Sequence, residues 1–179
     1  MVTPLLPAAV AGNSSLVPLL VDVGTRLEEA TGLLQYVLVV VFAAIPVIEI
    51  LVVVPVGIGI GLDPLLTGVA AFVGNVGSVY LLIGFESRLR RWWRDRRGGE
   101  SDERPDRYAR ARRLWDQYGL PGLSLASPVL TGVHIATLVA LVAGSSSRSV
   151  AWWMTVGIAV WTVALVLASV YGLSVVGII

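Results

Sequence analysis

One carboxylate stands inside the most apolar stretch of this chain. Glu49 is the single charged residue between Leu33 and Gly61, and Pro46 and Pro55 flank it. A charged side chain at the centre of a bilayer costs about 2.5–3.5 kcal/mol on insertion scales. Prolines on both sides interrupt the backbone hydrogen bonds that a spanning helix needs. A segment that carries both penalties together reads as a broken helix holding a polar site. The chemistry open to it is proton uptake and release by Glu49; the alternative is a neutral, hydrogen-bonded structural carboxyl. A second interrupted apolar segment supplies the other candidates: Pro128, Thr131, Gly132 and His134, the sole histidine. His134 reads as a partner or proton relay for Glu49, or as a side chain that merely satisfies a carbonyl. Asn75, between the two segments, reads as an interhelical hydrogen bond or a site ligand. These residues define a candidate ion- or substrate-binding site.

Other chemistries are set aside by composition. There is no cysteine, so thiol catalysis and Cys-ligated metals are excluded, and one histidine cannot build a multi-His centre. The spans show no Ser–His or Asp–Asp constellation legible in the sequence. The expectation is a protein with no cofactor that is not an enzyme.

The elements that must position these residues are membrane elements. The chain is 56% hydrophobic and only 14% charged, with a mean hydropathy of +0.82; in soluble domains about a quarter of residues are charged. Residues 14–30 predict an amphipathic helix lying in the membrane interface, with Leu16, Leu19, Leu20, Val23 and Leu27 opposite Asp22, Arg26 and Glu29. Ser14 or Ser15 would cap it, and a frayed tail is the alternative. Leu33 to Gly61 as one straight helix would be about 43 Å long against a hydrocarbon core of about 30 Å. That length fits a hairpin entering and leaving on one side; a kinked single span is the alternative. Asp63-Pro64 signals a helix start, and Pro64 to Phe85 is a clean span. Residues 119–144, broken by Pro121, Gly122, Pro128 and Gly132, fit a second hairpin, and the final span is expected over 149–171, opened by Ser149.

Charge gathers between the spans. Eleven of the 13 arginines lie between Arg88 and Arg113, within a polar loop over 86–118 whose second part, Pro105 to Tyr118, predicts an amphipathic helix. Arginines beside apolar spans, with Trp92 and Trp93 at the boundary, are a positive-inside signal. Arg88, Arg90, Arg91 and Arg94 are candidates to contact anionic lipid headgroups. Nucleic acid is not an expected partner. Asn13-Ser14-Ser15 matches the glycosylation pattern.

The halves echo each other at an offset of about 82 residues: Pro46 with Pro128, Glu49 with Thr131 and, with one residue of slip, Gly61 with Gly144 and Gly74 with Gly157. Interrupted segments in corresponding positions of two halves point to a transporter-type site. The expected fold is therefore an all-α integral membrane protein of two inverted repeats, 33–85 and 119–179. Each repeat is a re-entrant hairpin plus a transmembrane helix, and the hairpin tips bring Glu49 toward Thr131 and His134. The Arg-rich loop is expected in the cytoplasm and both termini outside, in a cell-membrane protein; a four-span topology would put both termini inside.

The stretch Pro46-Val-Ile-Glu49-Ile-Leu-Val-Val-Val-Pro55, the Gly74-Asn75 pair, Tyr118-Gly119 and Thr131-Gly132-Val133-His134 resemble the small multi-drug export protein family, distantly similar to the DedA/VTT membrane proteins. The family's Pro-x-x-Glu-Leu-Arg-Gly-x-x-Pro pattern is altered here, with Leu51 at the Arg and Val52 at the Gly. The family's motif Trp is His134 and its second Gly is Ala136. If Glu and Arg pair in the family, Glu49 lacks that partner, and His134 is the candidate replacement. The resemblance implies proton-coupled transport or lipid translocation of a small amphipathic or lipid substrate. The alternative is a non-transporting module that binds lipid or a protein through its basic loop. The polar backbone that two hairpins leave to shield points to a homodimer.

Overall fold

A computed structural model describes residues 16–46, 48–96 and 109–176. Among them, every regular element is helical: α1 (Leu16–Glu29), α2 (Leu33–Ala44), α3 (Glu49–Gly59), α4 (Pro64–Arg96), α5 (Ala109–Leu130), α6 (Val133–Val142) and α7 (Ser147–Val176). Two stretches are long and apolar enough to cross a membrane, Pro64–Glu86 in α4 and Ser147–Gly172 in α7. The other apolar helices, α2, α3, Gly119–Leu130 of α5 and α6, are shorter. At 1.5 Å per residue they are about 15–18 Å long, roughly half a hydrocarbon core.

Helix ends follow from local chemistry. Asp63 caps α4, its Oδ1 accepting from Leu66 N at 2.8 Å, with Pro64 in the first position where its missing N–H costs nothing. Ser146 caps α7, accepting from Ser149 N at 3.1 Å. That helix therefore opens two residues before the expected Ser149, because the cap side chain reaches the third helical N–H. Gly61 ends α3 and Gly144 ends α6 by the same device. Leu62 N donates to Gly57 O and Gly61 N to Ile58 O; Ser145 N donates to Ala140 O and Gly144 N to Leu141 O. Both glycines have positive φ, 92° and 99°, which this C-terminal motif requires.

A further boundary differs from the sequence expectation. Helix α4 continues past Phe85 through the Arg-rich segment to Arg96, because Arg, Leu and Trp sustain a helix once one is started. Among the described residues α5 opens at Ala109 and breaks at Gly119, where φ is 63° and ψ is −159°; the break falls where the expected amphipathic helix gives way to the apolar segment, and the two parts are helices meeting at a corner. Asn13, Ser14, Ser15 and residues 97–108 of the loop lie outside the described residues.

The four short helices form two helix–turn–helix units around α4 and α7. Helix α2 lies mainly on α4, and the apolar arm of α5 lies on α7; α3 and α6 each touch both long helices. Close approach is enabled by glycine. A Cβ on Gly74 of α4 would fall on the Val40 carbonyl oxygen of α2, and one on Gly157 of α7 would lie 2.5 Å from the Ser124 carbonyl oxygen of α5. The core between these helices is Ile50, Val53, Val54 and Ile58 of α3 with Leu123, Ala140, Leu141, Met154 and Ile158. Helix α1 is docked rather than free: Val23 and Leu27 are buried, Gln35 Nε2 donates to Leu27 O at 3.1 Å, and α1 touches α2 and α3. Asp22 and Arg26 pair on its exposed side.

Candidate functional site

The two turns between the short helices meet. In the first, Pro46 sits in a turn closed by Ile48 N and Glu49 N, both donating to Ile45 O. Glu49 then opens α3 with φ at 44°, the one non-glycine residue with positive φ among the described residues. This conformation is unfavourable for a side chain of this size, and it aims the carboxylate at the other turn. In the second, Ser127 O accepts from both Thr131 N and Gly132 N, ending α5. Gly132 (φ 79°, ψ 149°) reverses the chain, and α6 begins at Val133.

Glu49 and His134 are 4% and 7% exposed, so each must find its partner inside the protein. Glu49 Oε1 lies 2.9 Å from His134 Nδ1, and Oε2 accepts from Val133 N at 3.4 Å. The carboxylate thus sits at the N-terminus of α6, where unsatisfied N–H groups carry partial positive charge. A Cβ on Gly132 would come within 3.0 Å of Oε1, so both the backbone conformation and the carboxylate exclude a side chain there. On the far side of the imidazole, His134 Nε2 is 2.8 Å from Ser78 Oγ of α4, and that hydroxyl also reaches Asn75 O at 2.8 Å. Four residues from three helices form one chain of hydrogen bonds: Glu49, His134, Ser78 and the Asn75 carbonyl.

The structure brings Glu49 to His134, Val133 and Gly132. It places Thr131 differently: its hydroxyl turns back to Gly132 O at 3.4 Å. Pro46 shapes the first turn. Pro55 and Pro128 lie inside α3 and α5, where they shape the arms of the two units. The Asn75 side chain is fully buried on α4 with neither polar atom hydrogen-bonded, and Thr67 Oγ1, two turns earlier, is equally unpartnered. Arg88 is exposed, and α4 carries it together with Arg90, Arg91 and Arg94 past the apolar stretch.

Ser78, a polar position of the Pro64–Phe85 span, was not expected in the site, and the expectation that the spans hold no Ser–His constellation is corrected. A serine in an apolar helix ordinarily bonds back to its own helix, as Ser78 does. Its place three residues after Asn75, on the same face of α4, is the one signal that could have singled it out.

A sequence profile of the family described as "putative small multi-drug export protein" matches residues 49–164, well over half of the chain. The match begins at Glu49 and includes Ser78 and His134. No curated protein and no solved structure matches.

Proposed function

The chain belongs to the small multi-drug export protein family, and from that membership we propose that it is a proton-coupled membrane exporter whose Glu49–His134 pair carries the coupling proton. The observation that carries this reading is the 2.9 Å contact between Glu49 Oε1 and His134 Nδ1, buried where two turns from separate parts of the chain meet. A carboxylic acid and an imidazole in contact hold a proton between them and release it when the contact opens. The partners favour a proton over a metal cation: Oε1 faces a ring nitrogen and Oε2 a backbone N–H, whereas alkali and alkaline-earth ions want a shell of oxygens. The cargo in this reading is a small amphipathic molecule, with a lipid of the DedA type as the related case.

The α2–α3 unit and the α5–α6 unit serve as re-entrant hairpins of two inverted repeats, with α4 and α7 as the spans. The short arms support this, as do the equivalent tasks of Gly61 and Gly144 and of Gly74 and Gly157. The Arg-rich segment lies in the cytoplasm, with Arg148 on the same side and both termini outside. A reporter fused after Ile179 that is cytoplasmic would overturn this topology.

Proton-driven ethidium efflux from proteoliposomes tests the coupling. Glu49→Gln keeps the shape of the side chain and cannot cycle a proton; efflux driven by a pH gradient should fall at least 100-fold while gel filtration shows the protein intact. Unchanged efflux would sink the reading.

One observation favours another chemistry. Ser78, His134 and Glu49 follow the order of a hydrolase triad, with Ser on Nε2 and the acid on Nδ1. Yet Ser78 lies in the middle of α4, where neighbouring N–H groups are spent on the helix and are not offered to an oxyanion. Transport without covalent catalysis is therefore our reading. Fluorophosphonate labelling that is lost in Ser78→Ala would reverse it.

A further inference from the structure

We propose that the Ser78 hydroxyl is a two-position switch that reads the proton count of the Glu49–His134 pair and reports it to α4. The proposal rests on the reading of that pair as the proton carrier. Ser78 Oγ has two acceptors within reach, Asn75 O and His134 Nε2, each at 2.8 Å, and a hydroxyl has one proton to give.

Each choice fixes the imidazole. When the hydroxyl points to Asn75 O, Oγ meets Nε2 only as an acceptor, so Nε2 carries a hydrogen. The contact between Nδ1 and Glu49 Oε1 needs a second proton, held on either atom. The pair then holds two protons and is neutral overall, either as imidazolium with carboxylate or as imidazole with carboxylic acid. When the hydroxyl points to Nε2, that nitrogen is bare. The ring hydrogen sits on Nδ1 and bonds the carboxylate, and the pair holds one proton with a net charge of −1. Loss of the proton therefore leaves Nε2 bare, settles the shared hydrogen on Nδ1 against Oε1, and swings the hydroxyl off the Asn75 carbonyl. Atoms balance: one proton leaves the pair, and Ser78 keeps its own.

Few other charges intrude on this cycle. From α3 the one titratable group facing the site is Glu49, and from α6 it is His134. The Gly119–Leu130 arm has none. Tyr36 of α2 accepts from Asp63 N, and Tyr80 of α4 meets Thr155 of α7. Arg148 and Tyr171 of α7 are exposed, as is Arg88 beyond the apolar part of α4. Glu86 lies about two turns beyond Ser78 on α4, and α1 keeps its Asp22–Arg26 pair on its exposed side.

The chain has one histidine, so 15N-histidine labelling of the full protein in nanodiscs gives the spectrum of His134 alone. Across about pH 4 to 9, the expected result is a deprotonated form with hydrogen on Nδ1, opposite to the Nε2 preference of free histidine. If the ring titrates yet Nε2 keeps its hydrogen throughout, the switch is overturned and the proton carrier survives. If neither the ring nor the Glu49 carboxyl, followed by its infrared C=O band, changes over the range, the carrier itself falls and the switch with it. The second measurement is efflux. Ser78→Ala removes the partner of Nε2 in both states and costs the loaded state more, because the N–H of a charged ring loses the stronger hydrogen bond, so half-maximal proton-driven ethidium efflux should need about tenfold more protons. Ser78→Thr, which keeps the hydroxyl, should need no more than about twofold. Equal shifts in both variants, or none in either, would overturn the switch.

Discussion

The two turns that meet at the site do opposite work. The first, at Pro46 to Glu49, contributes the charge and bears the strain: a glutamate held at φ 44°. The second, at Thr131 to His134, contributes the complement. Gly132 leaves room for the carboxylate, Val133 N–H donates to it, and His134 Nδ1 meets it. A non-glycine residue at positive φ costs about 1–3 kcal/mol and persists only when its surroundings over-determine it. Here the surroundings belong to another part of the chain. The site is thus split into an unstable half and a supporting half, and parting the turns removes both the strain and the bond together. Such a split suits the opening and closing contact proposed above.

This contrast can be broken in graded ways. The largest effect is expected at the glycines that let the arms lie on the long helices. Gly74→Ala drives a methyl into the Val40 carbonyl, and Gly157→Ala drives one into the Ser124 carbonyl. Both contacts are with backbone, so the helices must part. Each variant should lose about 3 kcal/mol or more, at the upper end for overpacking, read by thermal unfolding in detergent. Near-equal losses would mean that the two units are anchored alike; a loss at one glycine alone would break the parallel.

Next comes Gly132→Ala. Its φ of 79° and the 3.0 Å approach to Glu49 Oε1 predict a loss of about 1–3 kcal/mol, with the carboxylate displaced. Combining it with Glu49→Gly, which relieves both the clash and the first turn's strain, should restore part of the melting temperature. Additive losses in the double variant would show that the two turns do not support one another.

The smallest effect is expected far from the turns. Neutralising Arg88, Arg90, Arg91 and Arg94 to Gln should weaken binding of the purified protein to anionic nanodisc lipid by up to about 1 kcal/mol per arginine. Efflux should change less than twofold. Abolished efflux would favour a function seated in the basic segment instead.

Much of the framework was legible because local chemistry decides it. Asp63-Pro64 states a helix start, and α4 begins at Pro64. Gly61 and Gly144 state helix ends, and each closes an arm. The spacing of proline and glycine against apolar residues pointed to broken segments, and the lone carboxylate and lone histidine were the natural candidates to meet. What could not be read depends on partners distant in sequence. Ser78 becomes informative only when α6 delivers an imidazole to it from 56 residues away. The backbone tasks of Gly74 and Gly157 need the facing helices to be known. The extension of α4 to Arg96 was hidden by its charge, since arginine-rich sequence suits a solvated helix and a loop equally well. The unpartnered amide of Asn75 follows from burial, which sequence does not reveal.

The separation of Glu49 from His134, 85 residues along the chain, also sets a schedule for biogenesis. A ribosome adding about 5–20 residues per second makes the carboxylate roughly 4–17 seconds before its imidazole. Through that interval the first turn has no cross-chain support, and its charge weighs against entry into lipid. The α2–α3 unit should therefore finish insertion late, once α6 has been made. A chain stopped after Leu130 should leave Glu49 open to a water-soluble carbodiimide that cannot reach it in the finished protein; equal protection in both would show that the first half inserts unaided.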